Sequence, residues 1–177
     1  MELRKDRQID ELIARMEIDK LLCRYMRGQD RLDPVMHRSV FFDDATLDYG
    51  FFQGGPDEFV EFAQGALAPH ASNHHMIGQA HIEVEVENDV AFGEVYFNAF
   101  HRLEDGDEKT DLIIAGRYVD RYEKRFGTWK IAHRTEVVDF ARSEPAADDV
   151  LKTMEGTIMG GRGADDISFD REALRTR

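Results

Sequence analysis

A chain of 177 residues, 42% hydrophobic and 33% charged, is long enough for one self-supporting core and has the composition of an ordinary globular domain. Lys and Arg number 23 against 36 Asp and Glu, a formal net charge of −13, and such a field repels nucleic-acid phosphates and anionic membranes. The single Cys23 excludes an intrachain disulfide and fits a reducing cytoplasm, while no apolar run approaches the ~18 residues of a membrane span.

The start, MELRKDRQIDELIARM, is charged and helical rather than a signal peptide. Residues 5–28 carry Ile9, Leu12, Ile13, Met16, Leu21, Leu22, Tyr25 and Met26 as a helical stripe, which Gly28 is expected to end. Cys23 falls within this helix and reads as a small buried hydrophobe. Asp33 then supplies an N-cap and Pro34 a first helical residue, so a short second helix begins there. ATLDYGFF reads as a strand. GGPDEFVEFAQGAL reads as a third helix, with Asp57 and Glu58 in its positive first turn.

From about Gln79 the period changes to two. Ile82, Val84 and Val86 alternate with Glu83, Glu85 and Glu87. Turns at Asn88–Asp89, EDGDE and RFGT separate this run from VAFGEVYFNAFHRL, TDLIIAGRYVDRYEK and WKIAHRTEVVDFAR. Helices first and an antiparallel meander after them predict an α+β fold. The domain is expected to span 1–143. Residues 144–177 form a tail whose Val150, Leu151, Met154, Ile158 and Met159 are expected to lie over a pocket. Apolar residues of both parities in the last strands, such as Ile113 with Ile114 and Val137 with Val138, predict that the sheet's convex face is buried in a closed dimer or trimer.

No Gly-rich phosphate loop, Cys-x-x-Cys pair or Gly-x-Ser-x-Gly elbow occurs, which argues against nucleotide enzymes and serine hydrolases. The groups that remain for chemistry are Asp30, Tyr49, His74, His75, His101, His133 and Arg134, set among apolar neighbours. Singly, each reads as a loop aspartate, a core aromatic or a satisfied histidine. Together they offer a carboxylate, a phenol and imidazoles, the parts of a general base tuned near neutral pH. Adjacent strand residues face opposite ways, so only one of His74 and His75 points inward. A facial metal triad of His75, His101 and Asp30 is conceivable by residue type, but no tight ligand spacing supports it.

The segments QDRLDPVMHRSVFFDDATLDYG and GRYVDRYEKRFGTWKIAHRTEVVDF resemble the hinge, first strand and last hairpin of the SnoaL-like branch of the nuclear transport factor 2 superfamily, over roughly residues 8–141. The resemblance implies a cone-shaped curved antiparallel sheet packed against three N-terminal helices. Within the branch the chain is most similar to the scytalone dehydratases. That likeness implies a hinge Asp30, a first-strand Tyr49, a pocket His75 in HMIG and a second pocket histidine, His101. It also places His74 outside. The tyrosine that precedes the hinge aspartate in those enzymes is Gln29 here, and two small polar residues of the third long strand are replaced by Gly116 and Tyr118.

The implied activity is a cofactor-free lyase acting on a small aromatic or polycyclic substrate, with no metal. The reaction is dehydration or another elimination, or a retro-aldol cleavage releasing an aldehyde such as formaldehyde. Asp30, His75, Tyr49 and His101 are the expected catalytic residues, with Gln29, Phe51, Met76, Phe97, Tyr118 and Arg134 around the substrate. The alternative is a non-catalytic subunit like the small subunits of ring-hydroxylating dioxygenases, which share the fold.

Overall fold

The structure is a computed structural model that describes residues 2–147 and 149–175. In chain order the elements are α1 (Glu2–Asp30), α2 (Pro34–Ser39), β1 (Phe41–Asp48), β2 (Gln53–Gly54), α3 (Pro56–Leu67), β3 (Ser72–Glu85), β4 (Val90–Asp105), β5 (Glu108–Arg125), β6 (Thr128–Pro145) and α4 (Arg171–Arg175). Short 3-10 turns at Asp149–Thr153, Gly163–Asp165 and Ile167–Phe169 lie between β6 and α4. The sheet runs β2-β1-β6-β5-β4-β3, antiparallel except for the β1–β6 pair. It curves without closing, and α1 and α3 pack on its concave side as an α+β cone. Among the described residues no helix is long and apolar enough to cross a membrane.

α1 does not end at Gly28. It continues to Asp30, and the chain turns at Leu32, whose φ is +50°. Gly28 serves helix packing instead. A Cβ there would lie 2.8 Å from the His37 backbone, so glycine lets α2 press against α1. The inward face of α1 carries Ala14, Ile18, Leu21, Leu22, Tyr25, Met26 and Gln29, all buried. Ile9, Leu12, Ile13, Met16 and Cys23 are exposed, contrary to the sequence expectation. At 3.6 residues per turn they fall on the far side of the helix from Ile18 and Tyr25. Buried side chains such as Ile18 and Leu22 each contribute roughly 1.5–3 kcal/mol of burial energy, and they fix the helix end that bears Asp30.

The predicted cap at α2 is present, with Asp33 accepting the Met36 N–H at 2.8 Å. The turn at Phe126 and Gly127 has φ of +53° and +79°, the two positive values of a tight hairpin turn between β5 and β6. The first strand lies at 41–48, slightly upstream of ATLDYGFF, and Tyr49 follows its last residue. β3 begins at Ser72 rather than Gln79, so both His74 and His75 belong to the sheet.

Candidate active site

β3 carries the decisive irregularity. Ile77 pairs with Phe97 and Ala80 with Val95, so Gly78 and Gln79 together face the single Tyr96. This bulge inserts one residue and reverses the alternation. Odd-numbered Asn73, His75 and Ile77 therefore share the concave face with even-numbered Ile82 and Val84. His74 is exposed, whereas the His75 side chain is only 6% accessible.

Asp30 sits at the C-terminal end of α1, where the helix dipole disfavours an anion. Its partners on β3 offset that cost. The His75 backbone N–H lies 3.1 Å from both carboxylate oxygens, and His75 Nδ1 lies 2.7 Å from Oδ1. A carboxylate only accepts, so in the neutral ring Nδ1 carries the proton and Nε2 keeps its lone pair.

His75 lines a cavity of about 220 Å³ between α1, α3 and the sheet. Tyr49, Phe51, Phe59, Phe62, Phe97 and Tyr118 supply aromatic walls, with Tyr49 stacked on Phe59 and Phe97 on Tyr118, each pair at 4.5 Å. The polar lining is Gln29, His70, His75, His101 and Glu136, together with the phenols. Tyr49 and Tyr25 share a hydroxyl–hydroxyl bond of 2.6 Å. Burial holds the phenols of Tyr49 and Tyr118 well above the ordinary value of 10, so both remain O–H donors at neutral pH. Gln29 Nε2 is buried and has no hydrogen-bond partner among the described residues.

His101 meets the His75 ring edge-to-face at 5.1 Å. Burial, reinforced by the neighbouring His75 and His70, lowers its pKa to about 3, so it stays neutral. Its tautomer follows from Asn73. A guanidinium only donates, so the Asn73 oxygen faces Arg162 Nη1 and Nη2 at 2.7 and 2.9 Å. The Asn73 amide nitrogen then donates to Nδ1 of both His101 and His70 at 2.9 Å. His101 Nδ1 is an acceptor, which leaves the proton on Nε2.

Arg162 comes from the tail. Its guanidinium also donates to the carbonyls of Leu67 (3.1 Å) and His70 (3.4 Å). Gly163 N–H bonds the Arg31 carbonyl at 3.0 Å, and buried Asp166 pairs with Arg31 at 3.3 Å. The tail thus fastens beside the Asp30–His75 contact through polar groups. Val150, Met154, Ile158 and Met159 are exposed, and among the described residues no apolar side chain of the tail lines the cavity.

The structure brings Asp30, His75, Tyr49, His101, Gln29, Phe51, Phe97 and Tyr118 together, Asp30 lying behind His75. It does not bring in Met76 or Arg134. Met76 is 56% exposed because it alternates outward from His75 on β3. Arg134 lies wholly buried outside the cavity lining, bonded to Asp120 at 2.6 and 2.8 Å, with the rings of Tyr25 and Tyr118 at 4.2 and 4.0 Å. His133 is half-buried on β6, bonded to Thr46 and Thr135 and absent from the cavity lining. His70, Asn73, Glu136 and Arg162 escaped the sequence reading. Alternation from Arg134 was enough to place Glu136 on the same face; nothing local marks Arg162. Among the described residues no group of three His, Cys, Asp or Glu side chains is arranged to hold a metal.

The model of the SnoaL-like domain family matches residues 10–135. The chain is a SnoaL-like protein. A search of curated proteins gives no significant match. Among solved structures, this SnoaL-like protein resembles a hexachlorocyclohexane dehydrochlorinase (LinA) of type 2, at 22% identity and a TM-score of 0.68, over 88% of this chain and 99% of that one. A scytalone dehydratase candidate from Novosphingobium aromaticivorans matches at 18% and 0.68, over 89% and 97%. Kfla4162 protein from Kribbella flavida matches at 18% and 0.68, over 75% and 95%. At these identities the likeness shows the fold.

Proposed function

We propose that this SnoaL-like protein is a cofactor-independent lyase with His75 as general base. The observation that carries the reading is the 2.7 Å contact of Asp30 with His75 Nδ1, on a ring whose other side lines an apolar cavity. Nε2 takes a proton from the substrate, and the imidazolium that forms is stabilised by the carboxylate behind it. Gln29 Nε2, His101 Nε2–H and the Tyr49 phenol are the donors available to a substrate oxygen on which charge develops. The aromatic walls suit a small aromatic or polycyclic substrate and exclude water from the base. Removal of a carbon-bound proton leads to elimination; removal of a hydroxyl proton by the same base leads to retro-aldol cleavage. The names borne by the dehydrochlorinase and dehydratase relatives support the lyase class.

The test is a screen of cyclic hydroxy ketones and phenolic diols, followed by His75→Ala and Asp30→Asn on whichever compound turns over. A positioned base is worth about 10²–10⁴-fold, so His75→Ala should lower kcat by that factor with KM little changed. Retention of most activity by His75→Ala overturns the assignment. We also propose that the exposed Phe92, Val119, Val138 and Phe140 of the sheet are covered by further copies of the chain as a dimer or trimer. A monomer by light scattering at micromolar concentration would remove that claim.

A further inference from the structure

Glu136 is a cavity carboxyl that the base mechanism leaves unused. It stands opposite Tyr118 on β5, two residues from Arg134 on β6, and lines the same cavity as His75. Glu136 is half-buried, and a carboxylate withdrawn from water is ordinarily paired or hydrogen-bonded, because ionising it there without partners costs about 1–3 kcal/mol or more. Among the described residues no hydrogen bond or ion pair reaches this one.

The nearest cation does not serve it. Arg134 gives two nitrogens to Asp120, at 2.8 and 2.6 Å. The other titratable groups around Glu136 are the phenols of Tyr25 on α1, Tyr49 beyond β1 and Tyr118 on β5, with His70, His75 and His101 elsewhere in the lining. Burial, opposed by Arg134, raises the Glu136 carboxyl to about 7. It therefore holds its proton at neutral pH far more than an ordinary glutamate does.

We propose that Glu136 is the general acid of this cavity, giving its proton to a hydroxyl leaving group, so that the substrates are β-hydroxy carbonyl compounds that lose water. The inference rests on the lyase reading above. His75 Nε2 takes the proton on the carbon beside the carbonyl, and that C–H electron pair becomes the new C=C bond. The C–O bond breaks, its electrons stay on oxygen, and the Glu136 proton completes the water that departs. The enzyme is left with a His75 imidazolium and a Glu136 carboxylate. It resets by passing the proton from one to the other through solvent after release. Hydroxide is a poor leaving group and needs this proton, whereas chloride leaves without one. A separate acid and base of opposed environments is the arrangement that lets one cavity do both.

The experiment compares 3-hydroxycyclohexanone with 3-chlorocyclohexanone, both read as the appearance of cyclohexenone, net of the uncatalysed rate. Glu136→Gln should lower the ratio of water loss to chloride loss by about 10²-fold or more, the worth of a positioned acid. In the unaltered chain that ratio should fall as pH rises through 7. An unchanged ratio in Glu136→Gln, with both rates lost in His75→Ala, overturns this inference and leaves the lyase reading standing. Both rates surviving in His75→Ala overturns the base reading instead. Conversion of neither probe by the unaltered chain counts against both. An independent arm needs no turnover: carbon-13 labelling of the glutamate carboxyls, with the Glu136 signal assigned by its absence in Glu136→Gln. Titration near 7 sustains the inference, and titration between about 4 and 5, the ordinary glutamate range, overturns it.

Discussion

Asp120 and Glu136 flank the same guanidinium from neighbouring strands, and their surroundings differ in every contact. Asp120 receives two nitrogens of Arg134 and the Tyr122 hydroxyl, at 2.8, 2.6 and 2.5 Å, and is sealed from solvent. Glu136 receives no hydrogen bond among the described residues and opens on a cavity. A buried charge that serves the fold is bonded on every side, since leaving it unpaired is expensive. A half-buried carboxyl left unbonded at a cavity wall is free to meet a ligand. The same contrast corrects the substrate-binding role expected of Arg134: Nε and Nη2 are engaged by Asp120 and the residue lies outside the cavity lining, so it supports the site without reaching it.

That contrast is broken most directly at Asp120. Asp120→Asn removes the counter-charge and leaves Arg134 buried, which should cost about 3–5 kcal/mol in urea unfolding. A loss below about 1 kcal/mol would show that the pair is no more structural than Glu136.

The second test has the opposite sign. The folded-state pKa of Glu136 is raised from 4.5 to about 7, so the fold favours the protonated form. That contribution is complete below pH 4.5 and lost as pH climbs through 7. Glu136→Gln mimics the protonated acid. The variant should equal the unaltered protein near pH 4.5 and exceed it by on the order of 2–3 kcal/mol at pH 8.5. Equal stability at both pH values would mean that Glu136 is paired in solution.

Acid works through histidines instead. His37 and His101 have their pKa lowered to about 3, mainly by burial, so each is held neutral in the fold. Below 6.5 the unfolded chain takes up protons that these rings refuse, so stability falls between pH 6.5 and 3. His101→Asn should shallow that slope in equilibrium unfolding, and an unchanged slope would place the acid sensitivity elsewhere.

Arg162→Gln tests the tail's share of the site. It should change global stability by less than about 1 kcal/mol, because the clasp is local, yet release the Asn73 amide. Nitrogen-15 NMR should then show His101 populating both tautomers. The smallest effect belongs to Met76→Ser, within about 0.5 kcal/mol and without effect on turnover, as befits an outward-facing residue.

Much of this was legible in the letters. Asp33 and Pro34 announce α2, Phe126–Gly127 the last hairpin, and period-two runs the strands. These are local rules, fixed by backbone sterics and capping, so they survive without knowledge of the rest of the chain. The α+β order follows from them. What failed was whatever depends on which side of an element meets the core. The α1 stripe mixed two faces, because helix and sheet decide together which is covered, and Ile9, Leu12, Ile13 and Met16 stayed outside.

The site shows the same limit more sharply. Counting back by twos from Ile82 assigns His74 to the interior; the bulge at Gly78–Gln79 reverses this and turns His75 inward. A period of two cannot register one inserted residue, and only pairing with β4 reveals it. Resemblance to a family supplied His75, and the fold supplied the reason. Asp30 meets His75 across 45 positions of sequence, and Asn73 is oriented by Arg162 from the tail. The sequence by itself determined the elements and the stock of chemical groups. Their convergence, and the isolation of Glu136, were decided by tertiary packing, because hydrogen bonds and burial join residues that no local pattern connects.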